Sequence, residues 1–524
     1  MTPTLSGSEN GKRVERRRFR WSHIILSALL LGSILCLALY LRSDSFHDLV
    51  RKKIIAQLEL VTGGKVEIQS FNWSLSRLQF EARGVTIHGL ESADHAPGSP
   101  AHAVFEEAPF IHTDRVAGQV KIISLFRQEI GLRSLVIDHP VIHLIVYPDG
   151  STNQPMPQLK GGGNTQAGRL FNMAIDRAEV NNAELQLNET KIAFDFLGEH
   201  LTAGMSYSKA GNDYEGNLSV DLVAAHYKDF EPLRGTLEMN FLLRPAQAEL
   251  KSLKFTVDHS VFQASGTLAN FGNPQIHLQY SATLDLKEAG KTARIPRLQA
   301  GHLAVAGAAS YENKIYATQG TFTVHDLAWR DASWNLSGID VTSPFAISPD
   351  KISLEHLAVQ AFGGTAQGEL GVLNWNAPAS EKKGRESGKG ALHCSNMQAG
   401  QLAAAVSSTQ LPLNKINLAG SISGDVTSIW TGPVSNASAE LRLQIKPPAN
   451  ASPREIPVTG SLEGTYHRAN ETLDVAGLSL ATRGTRLTAS GTLGSNTAQL
   501  KIAFNAETLQ EIQPILRAWS TRMP

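Results

Sequence analysis

Apolar residues recur at every second position over most of the chain beyond residue 169. Between residues 214 and 222, for example, Leu218 and Val220 alternate with polar side chains. A period of two is that of a β-strand with one apolar and one wet face. No convincing amphipathic helix is predicted between residues 169 and 505. Such a sheet must either close on itself as a sandwich or barrel, or remain an open trough whose apolar lining another molecule covers.

The strand pattern defines a candidate lining for such a trough. The apolar positions expected to share its inner face are Leu218, Val220, Leu237, Phe241, Ile276, Leu278, Tyr280, Leu284, Leu441, Leu443, Ile445, Leu500, Ile502 and Phe504. About 20–25 strands at a spacing of about 4.8 Å would form a path roughly 100–120 Å long, which suits acyl chains. The same alternation is also typical of a dry protein core, so both arrangements are compatible with the pattern.

A degenerate hairpin recurs in this region, at residues 253–268, 357–370 and 478–493. Its second strand contains a glycine followed by Thr or Glu and then by Leu. Glycines with this ending, or with Ser in its middle position, are Gly235, Gly266, Gly368, Gly460 and Gly491. We interpret them as marks of one strand type used many times, in which glycine either permits a bend or is simply tolerated.

The N-terminal part of the chain contains an uncharged apolar run at residues 24–41. Its length is about that needed to cross a hydrocarbon layer, so we predict a transmembrane helix at 23–42. The preceding residues 1–22 are rich in Lys and Arg, which predicts a cytoplasmic tail and export of everything that follows. A cleaved signal peptide is disfavoured because no small-residue cleavage site occurs before Arg42.

The exported part begins with a predicted β region at residues 43–160. A short amphipathic helix at 46–62, capped by Ser45 and Asp48, is expected to lead it. The strands that follow have a period of two, and the dense apolar strand that contains Pro140 is expected to break at that proline.

A glycine-rich joint at residues 161–168 is predicted to separate this region from the repeated hairpins of 169–506. The polar stretch 377–390 is interpreted as a surface loop, and residues 507–524 as a C-terminal helix. The predicted fold class is mainly β. One transmembrane helix is followed by an elongated, curled, antiparallel-rich β-sheet, a trough, with short helices at its ends.

Charge and motif content disfavour several classes of function. The 48 basic and 48 acidic residues provide no net field to attract nucleic acid, so no nucleic-acid partner is expected. Cys36 lies in the apolar run and leaves Cys394 without a partner, which excludes a disulfide scaffold. No metalloprotease, nucleophile-elbow or nucleotide-binding motif occurs, so we expect no enzyme activity, no cofactor and no metal site. The histidines interpreted as loop residues rather than metal ligands are His88, His95, His102 and His112.

Two segments resemble proteins of the AsmA family. Residues 58–68, LELVTGGKVEI, resemble the first strand entry of that family, and residues 139–153, HPVIHLIVYPDGSTN, resemble its Pro-x-Ile-x-Leu strand and the turn that follows. The residues that match the family motif are Pro140, Asp149, Gly150 and Asn153. Asp149 and Asn153 suit a turn held by hydrogen bonds from side chain to backbone. The later hairpins are similar to the family's C-terminal region and, more loosely, to TamB-like and bridge-like lipid-transfer proteins.

The resemblance implies a periplasmic β-trough anchored in the bacterial inner membrane, with an apolar interior for phospholipid acyl chains. Its implied role is the supply of phospholipid to the outer membrane, or outer-membrane biogenesis. The alternative is a non-lipid scaffold that docks outer-membrane or other envelope proteins by exposed strand edges.

Overall fold

The structure, a computed structural model, describes residues 43–507, with gaps at 75, 91–107, 122–130, 156–174, 190–192, 272, 332–333, 379–384, 408–412, 453–454 and 495–497, and a few positions between 29 and 40. In this part of the chain no helix is long and apolar enough to span a membrane. The basic tail, most of the predicted transmembrane helix, the glycine-rich joint and almost all of the predicted C-terminal helix lie outside the described residues.

The chain divides into two compact units. Unit 1 comprises Met1–Asn164 and Leu170–Lys191, and unit 2 comprises Thr165–Arg169 and Ile192–Pro524. The prediction of a mainly β, antiparallel-rich fold is confirmed, and the sheet is not closed.

Unit 1 is a small sheet with a helix on its first strands. Its elements are α1 (Asp44–Thr62), β1 (Val66–Ser74), β2 (Gln79–Ile87), β3 (Ile111–Val120), β4 (Leu132–Val146) and β5 (Arg177–Glu189). Strands β1 to β4 pair in chain order and antiparallel, and β5 pairs parallel to β4. Ile54 and Leu58 of α1 pack against the buried Val66, Ile68 and Phe71. This unit therefore has a dry core of the ordinary kind.

Two local predictions for unit 1 were wrong. The N-cap of α1 is Ser43 rather than Ser45, because the Ser43 hydroxyl accepts from the Phe46 N–H at 3.4 Å. The strand does not break at Pro140 but continues through it, with His139 in the left-handed region at φ 51°. The helix ends as expected at Gly63, whose φ of 79° favours glycine.

Unit 2 is one long antiparallel sheet in which each strand pairs with its neighbours in the chain. Its strands are β6 (Phe194–Ser208), β7 (Asp213–Tyr227), β8 (Leu233–Leu243), β9 (Gln247–Val257), β10 (Ser260–Ala269), β11 (Gln275–Asp285), β12 (Leu298–Glu312), β13 (Ile315–Arg330), β14 (Asn335–Ile347), β15 (Lys351–Ala361), β16 (Gly364–Leu373), β17 (Ser387–Gln398), β19 (Ser421–Thr431), β20 (Ser438–Lys446), β22 (Thr459–His467), β23 (Thr472–Ala481), β24 (Thr485–Gly494) and β25 (Ala498–Ala506). The short strands β18 (Leu418–Ala419) and β21 (Ile456–Pro457) form a separate parallel pair.

Two short helices interrupt unit 2, in the region where no convincing amphipathic helix is predicted. They are α2 (Leu286–Thr292) and α3 (Ala399–Ala405). Asp285 caps α2 by accepting from the Glu288 N–H at 3.0 Å. At seven residues each, these helices are too short to show an amphipathic period. The predicted loop 377–390 is also too long, because β17 begins at Ser387.

The three predicted hairpins are confirmed as β9–β10, β15–β16 and β23–β24. Each pair has one register shift, which lies between Ala264 and Gly266 in the first hairpin. Such bulges bend a strand and increase its twist, so each repeat introduces local curvature into the sheet.

Candidate functional site

The apolar residues of unit 2 form one continuous face across the paired strands. Leu278 lies opposite Gly266 on β10 and Ala309 on β12. Leu443 lies opposite Gly424 on β19 and Leu462 on β22. Partners opposite each other in an antiparallel pair point to the same side. When the register is followed from β7 to β25, all of the predicted lining residues fall on this side, which we call the apolar face.

Most side chains on the apolar face are half-buried. Among the predicted lining residues Val220 is buried, with 3% of its surface exposed, whereas Ile502 and Phe504 are exposed by 57% and 46%. The remaining lining residues lie between these extremes, and their polar neighbours on β11, such as Gln279, are exposed. The apolar face therefore differs from the core of unit 1, where Ile68 is only 6% exposed.

Within the described residues, close backbone contacts between strands are confined to strands that pair in the sheet, apart from weak contacts, and the sheet is not closed. Every strand from β7 to β24 in this sheet also has partners on both edges. The backbone groups of these strands are therefore hydrogen-bonded within the sheet. A ligand on the apolar face can contact side chains only.

Helix α3 covers one small area of the apolar face. It packs against β14 and β17, and the apolar-face residues Ile339, Ala361, Ala366 and Cys394 are buried. Burial and the nearby Asp425 raise the pKa of the Cys394 thiol above its usual value. Buried residues also occur on the apolar face away from α3, namely Tyr214, Val220, Ile422, Trp430, Val475 and Ala489, whereas most other positions of this face are partly exposed.

The opposite face is polar and has cross-strand pairs of histidine and carboxylate. The closest pairs Nδ1 of His393 with Oδ1 of Asp425 at 2.7 Å. Both partners are more than half exposed, so the pair contributes little to stability. This face also has a concavity of about 840 Å³ that includes Ser and Gln side chains such as Gln279 and Gln319.

A second cavity, of about 1040 Å³, lies at the strand ends of the apolar face near α2. Aromatic side chains from four strands and one turn line it, namely Phe194, Tyr227, Phe230, Phe255 and Phe262. None of these five was predicted as a lining residue. The signal available in the sequence was the concentration of aromatic residues at strand ends around the turn that contains Pro232.

Three of the four motif residues, Asp149, Gly150 and Asn153, lie in the turn that follows β4, as predicted, whereas Pro140 lies within β4. The Asp149 carboxylate accepts from the Ser151 N–H at 2.9 Å, and Gly150 has a φ of 85°. Asn153 is fully buried. Its side chain accepts from the Ile145 N–H at 2.9 Å and donates to the His143 carbonyl at 2.8 Å. The turn therefore has a structural role that its hydrogen bonds explain.

We expect Asn153→Ala to destabilise unit 1 by about 2–4 kcal/mol, because it removes the hydrogen bonds that this buried side chain makes with the Ile145 N–H and the His143 carbonyl of β4. Asp149→Ala is the matched control in the same turn. Its exposed carboxylate should contribute only about 0.5–1 kcal/mol. Hydrogen exchange of the β4 amides in the full chain measures both effects. Equal effects of the two changes would contradict a structural role that depends on Asn153.

The described residues contain no group of three or more His, Cys, Asp and Glu side chains arranged to hold a metal ion. Of the predicted loop histidines, His95 and His102 lie outside the described residues. Nδ1 of His112 forms a hydrogen bond with the Thr86 hydroxyl at 2.9 Å. Comparison of the chain with protein-family models, curated proteins and solved structures gave no match.

Proposed function

We propose that the chain is an inner-membrane protein that binds lipid acyl chains along the apolar face of unit 2 and transfers phospholipid in the periplasm. Its role would be the supply of phospholipid to the outer membrane, or outer-membrane biogenesis. The observation that carries this proposal is the apolar face itself. It continues in register from β7 to β25, and most of its side chains remain partly exposed, although residues such as Val220 and Ile422 are buried.

Acyl chains suit this face better than polypeptide does. Soluble proteins rarely expose contiguous apolar patches larger than a few hundred Å² unless a partner covers them. A bound peptide strand would need hydrogen bonds for its backbone, and the paired strands have none to offer. A hydrocarbon chain needs none, and each Å² of apolar surface that it removes from water contributes about 25 cal/mol.

The membrane anchor in this proposal is the helix predicted at 23–42, with the basic tail in the cytoplasm. The likeness of residues 58–68 and 139–153 to the AsmA family supports the same location. An anchor at the inner membrane would place a lipid-binding sheet next to its source of phospholipid.

A vesicle assay tests the transfer activity. The full chain is reconstituted into donor vesicles that contain fluorescent phosphatidylethanolamine, and the appearance of the label in acceptor vesicles is followed. We expect a rate at least about tenfold above that of protein-free vesicles, equivalent to about 1.4 kcal/mol of barrier. A rate equal to that of protein-free vesicles would count against transfer.

A scaffold for envelope proteins is the second candidate. Within the described residues β25 has no strand on its outer edge, and Ile502 and Phe504 are exposed there. An open edge can accept a strand from another protein. Crosslinking from β25 in cells that traps a protein, together with a failed vesicle assay, would favour this function.

A further inference from the structure

Two parts of unit 2 that are far apart in the sheet meet near α2. The turn at residues 228–232 joins β7 to β8, and α2 follows β11. The Glu231 N–H nevertheless donates to the Thr292 carbonyl at 2.8 Å, and the Glu231 carboxylate pairs with Arg294 at 3.0 Å. We call this turn and α2 together the strap.

The strap also forms a hydrogen bond with the turn between β9 and β10. Nδ1 of His259, in the turn between β9 and β10, lies 2.6 Å from the Glu288 carboxylate of α2. That hydrogen bond raises the pKa of His259. The strap thus crosses the ends of β8 to β10, and the cavity of about 1040 Å³ lies between it and the apolar face.

The lining of this cavity is mainly apolar, with polar and charged side chains such as Asp258 and Lys291 beside the apolar ones. Phe230, Leu233 and Phe262 line it and are 39%, 38% and 38% exposed, and Val261 and Leu284 lie beside them. Apolar cavities of several hundred Å³ are typical of sites for lipid-sized or drug-sized ligands. Two carboxylates of the strap are paired with neighbouring side chains. Glu231 pairs with Arg294, and Glu288 pairs with His259.

The choice of occupant follows from the backbone around the cavity. Strands β8, β9 and β10 are paired on both edges, and the Glu231 N–H is used within the strap. A peptide strand would enter without partners for its own N–H and C=O groups. A hydrocarbon chain meets no such cost, and it gains contact with aromatic rings.

We propose that the strapped cavity is a discrete site for one acyl chain of a membrane lipid, placed at the strand ends of the apolar face, through which a chain enters or leaves the face. This proposal rests on the proposed function, since it assumes lipid as the cargo. It adds a location at β8 to β10 and α2, and a structural element that closes over the chain.

Photolabelling with a defined probe tests the site. The full chain is reconstituted into vesicles of phosphatidylethanolamine and phosphatidylglycerol that contain a diazirine-bearing palmitic acid, and labelled peptides are identified by mass spectrometry after illumination. We expect labels in residues 227–233, 255–262 and 284–293. Phe262→Asp should reduce them at least about tenfold. Gln263→Asp, the neighbouring exposed residue on the polar face, should not change them.

The outcomes separate this proposal from the proposed function. Labels on the apolar face at β19 to β24, with none at the strap, would overturn the strapped site and leave lipid binding intact. The absence of any label in unit 2 would overturn both. If Phe262→Asp lowers the melting temperature strongly, Leu233→Gln at another cavity position with the same exposure takes its place.

Discussion

Leu278→Asp is expected to remove at least nine-tenths of the phospholipid bound by the purified chain while the protein stays folded. Leu278 is half-buried on the apolar face between Gly266 and Ala309. A carboxylate there can stay hydrated in the absence of lipid, so the cost in folding should be within about 1–2 kcal/mol. An acyl chain laid over it would remove that water from the charge, which makes binding unfavourable. Phosphate analysis and thermal melting by circular dichroism measure the two quantities.

Matched variants make this result specific. Gln279→Asp adds the same charge to the adjacent exposed position of the polar face and should leave bound lipid unchanged. Leu443→Asp, on β20, should behave as Leu278→Asp does. Ile68→Asp, in the sealed core of unit 1, should unfold that unit, because it buries an unpaired charge. If Leu278→Asp and Leu443→Asp both unfold unit 2, the apolar face is a dry core.

Gly368→Ala is expected to destabilise the hairpin of β15 and β16 by about 2–3 kcal/mol. A Cβ atom at Gly368 would lie far inside van der Waals contact with the backbone carbonyl of Ala391 on β17. Because that atom belongs to a paired strand, the sheet itself would have to move. The other glycines of the repeated ending meet a neighbouring carbonyl in the same way, namely Gly235, Gly266, Gly460 and Gly491, as do some glycines outside it, such as Gly320 and Gly424. Close approach of strands therefore explains the repeated Gly-x-Leu ending.

Gly477→Ala on β23 is the control, since a Cβ there would meet nothing within 4 Å. It should leave stability unchanged or increase it by about 0.5–1 kcal/mol, because alanine restricts the unfolded chain. Hydrogen exchange of β15 to β17 and of β22 to β24 compares the two sites in the full chain. A loss of stability at Gly477 as large as at Gly368 would refute the steric explanation.

The strands of unit 2 could be predicted because their signal is local. Residues such as Leu441 and Leu443 alternate with polar neighbours, and a strand with one wet face must show this period. The placement of the whole predicted lining on one face also follows, because antiparallel pairing conserves the side to which partners point.

The strapped cavity could not be predicted, because it depends on contacts between distant residues. The bond from Glu231 to Thr292 joins positions separated by four strands, and alternation within a strand carries no information about it. Helix α2 was missed for a related reason. Leu286 continues the apolar alternation of β11 in the sequence, although it is already the first residue of the helix that Asp285 caps. The cap of α1 was misplaced because Ser43 and Ser45 are equally good candidates by residue type.

Site-specific crosslinking in living cells tests whether lipid occupies the apolar face. The photoreactive amino acid p-benzoylphenylalanine is placed at position 278 or 443 on the apolar face, and at 279 or 444 on the polar face. After illumination, mass spectrometry of the purified chain identifies what has been attached. If lipid occupies the apolar face, we expect phospholipid adducts at 278 and 443 and none at 279 and 444. Adducts to protein alone at 278 and 443, or internal crosslinks to other parts of unit 2, would contradict it.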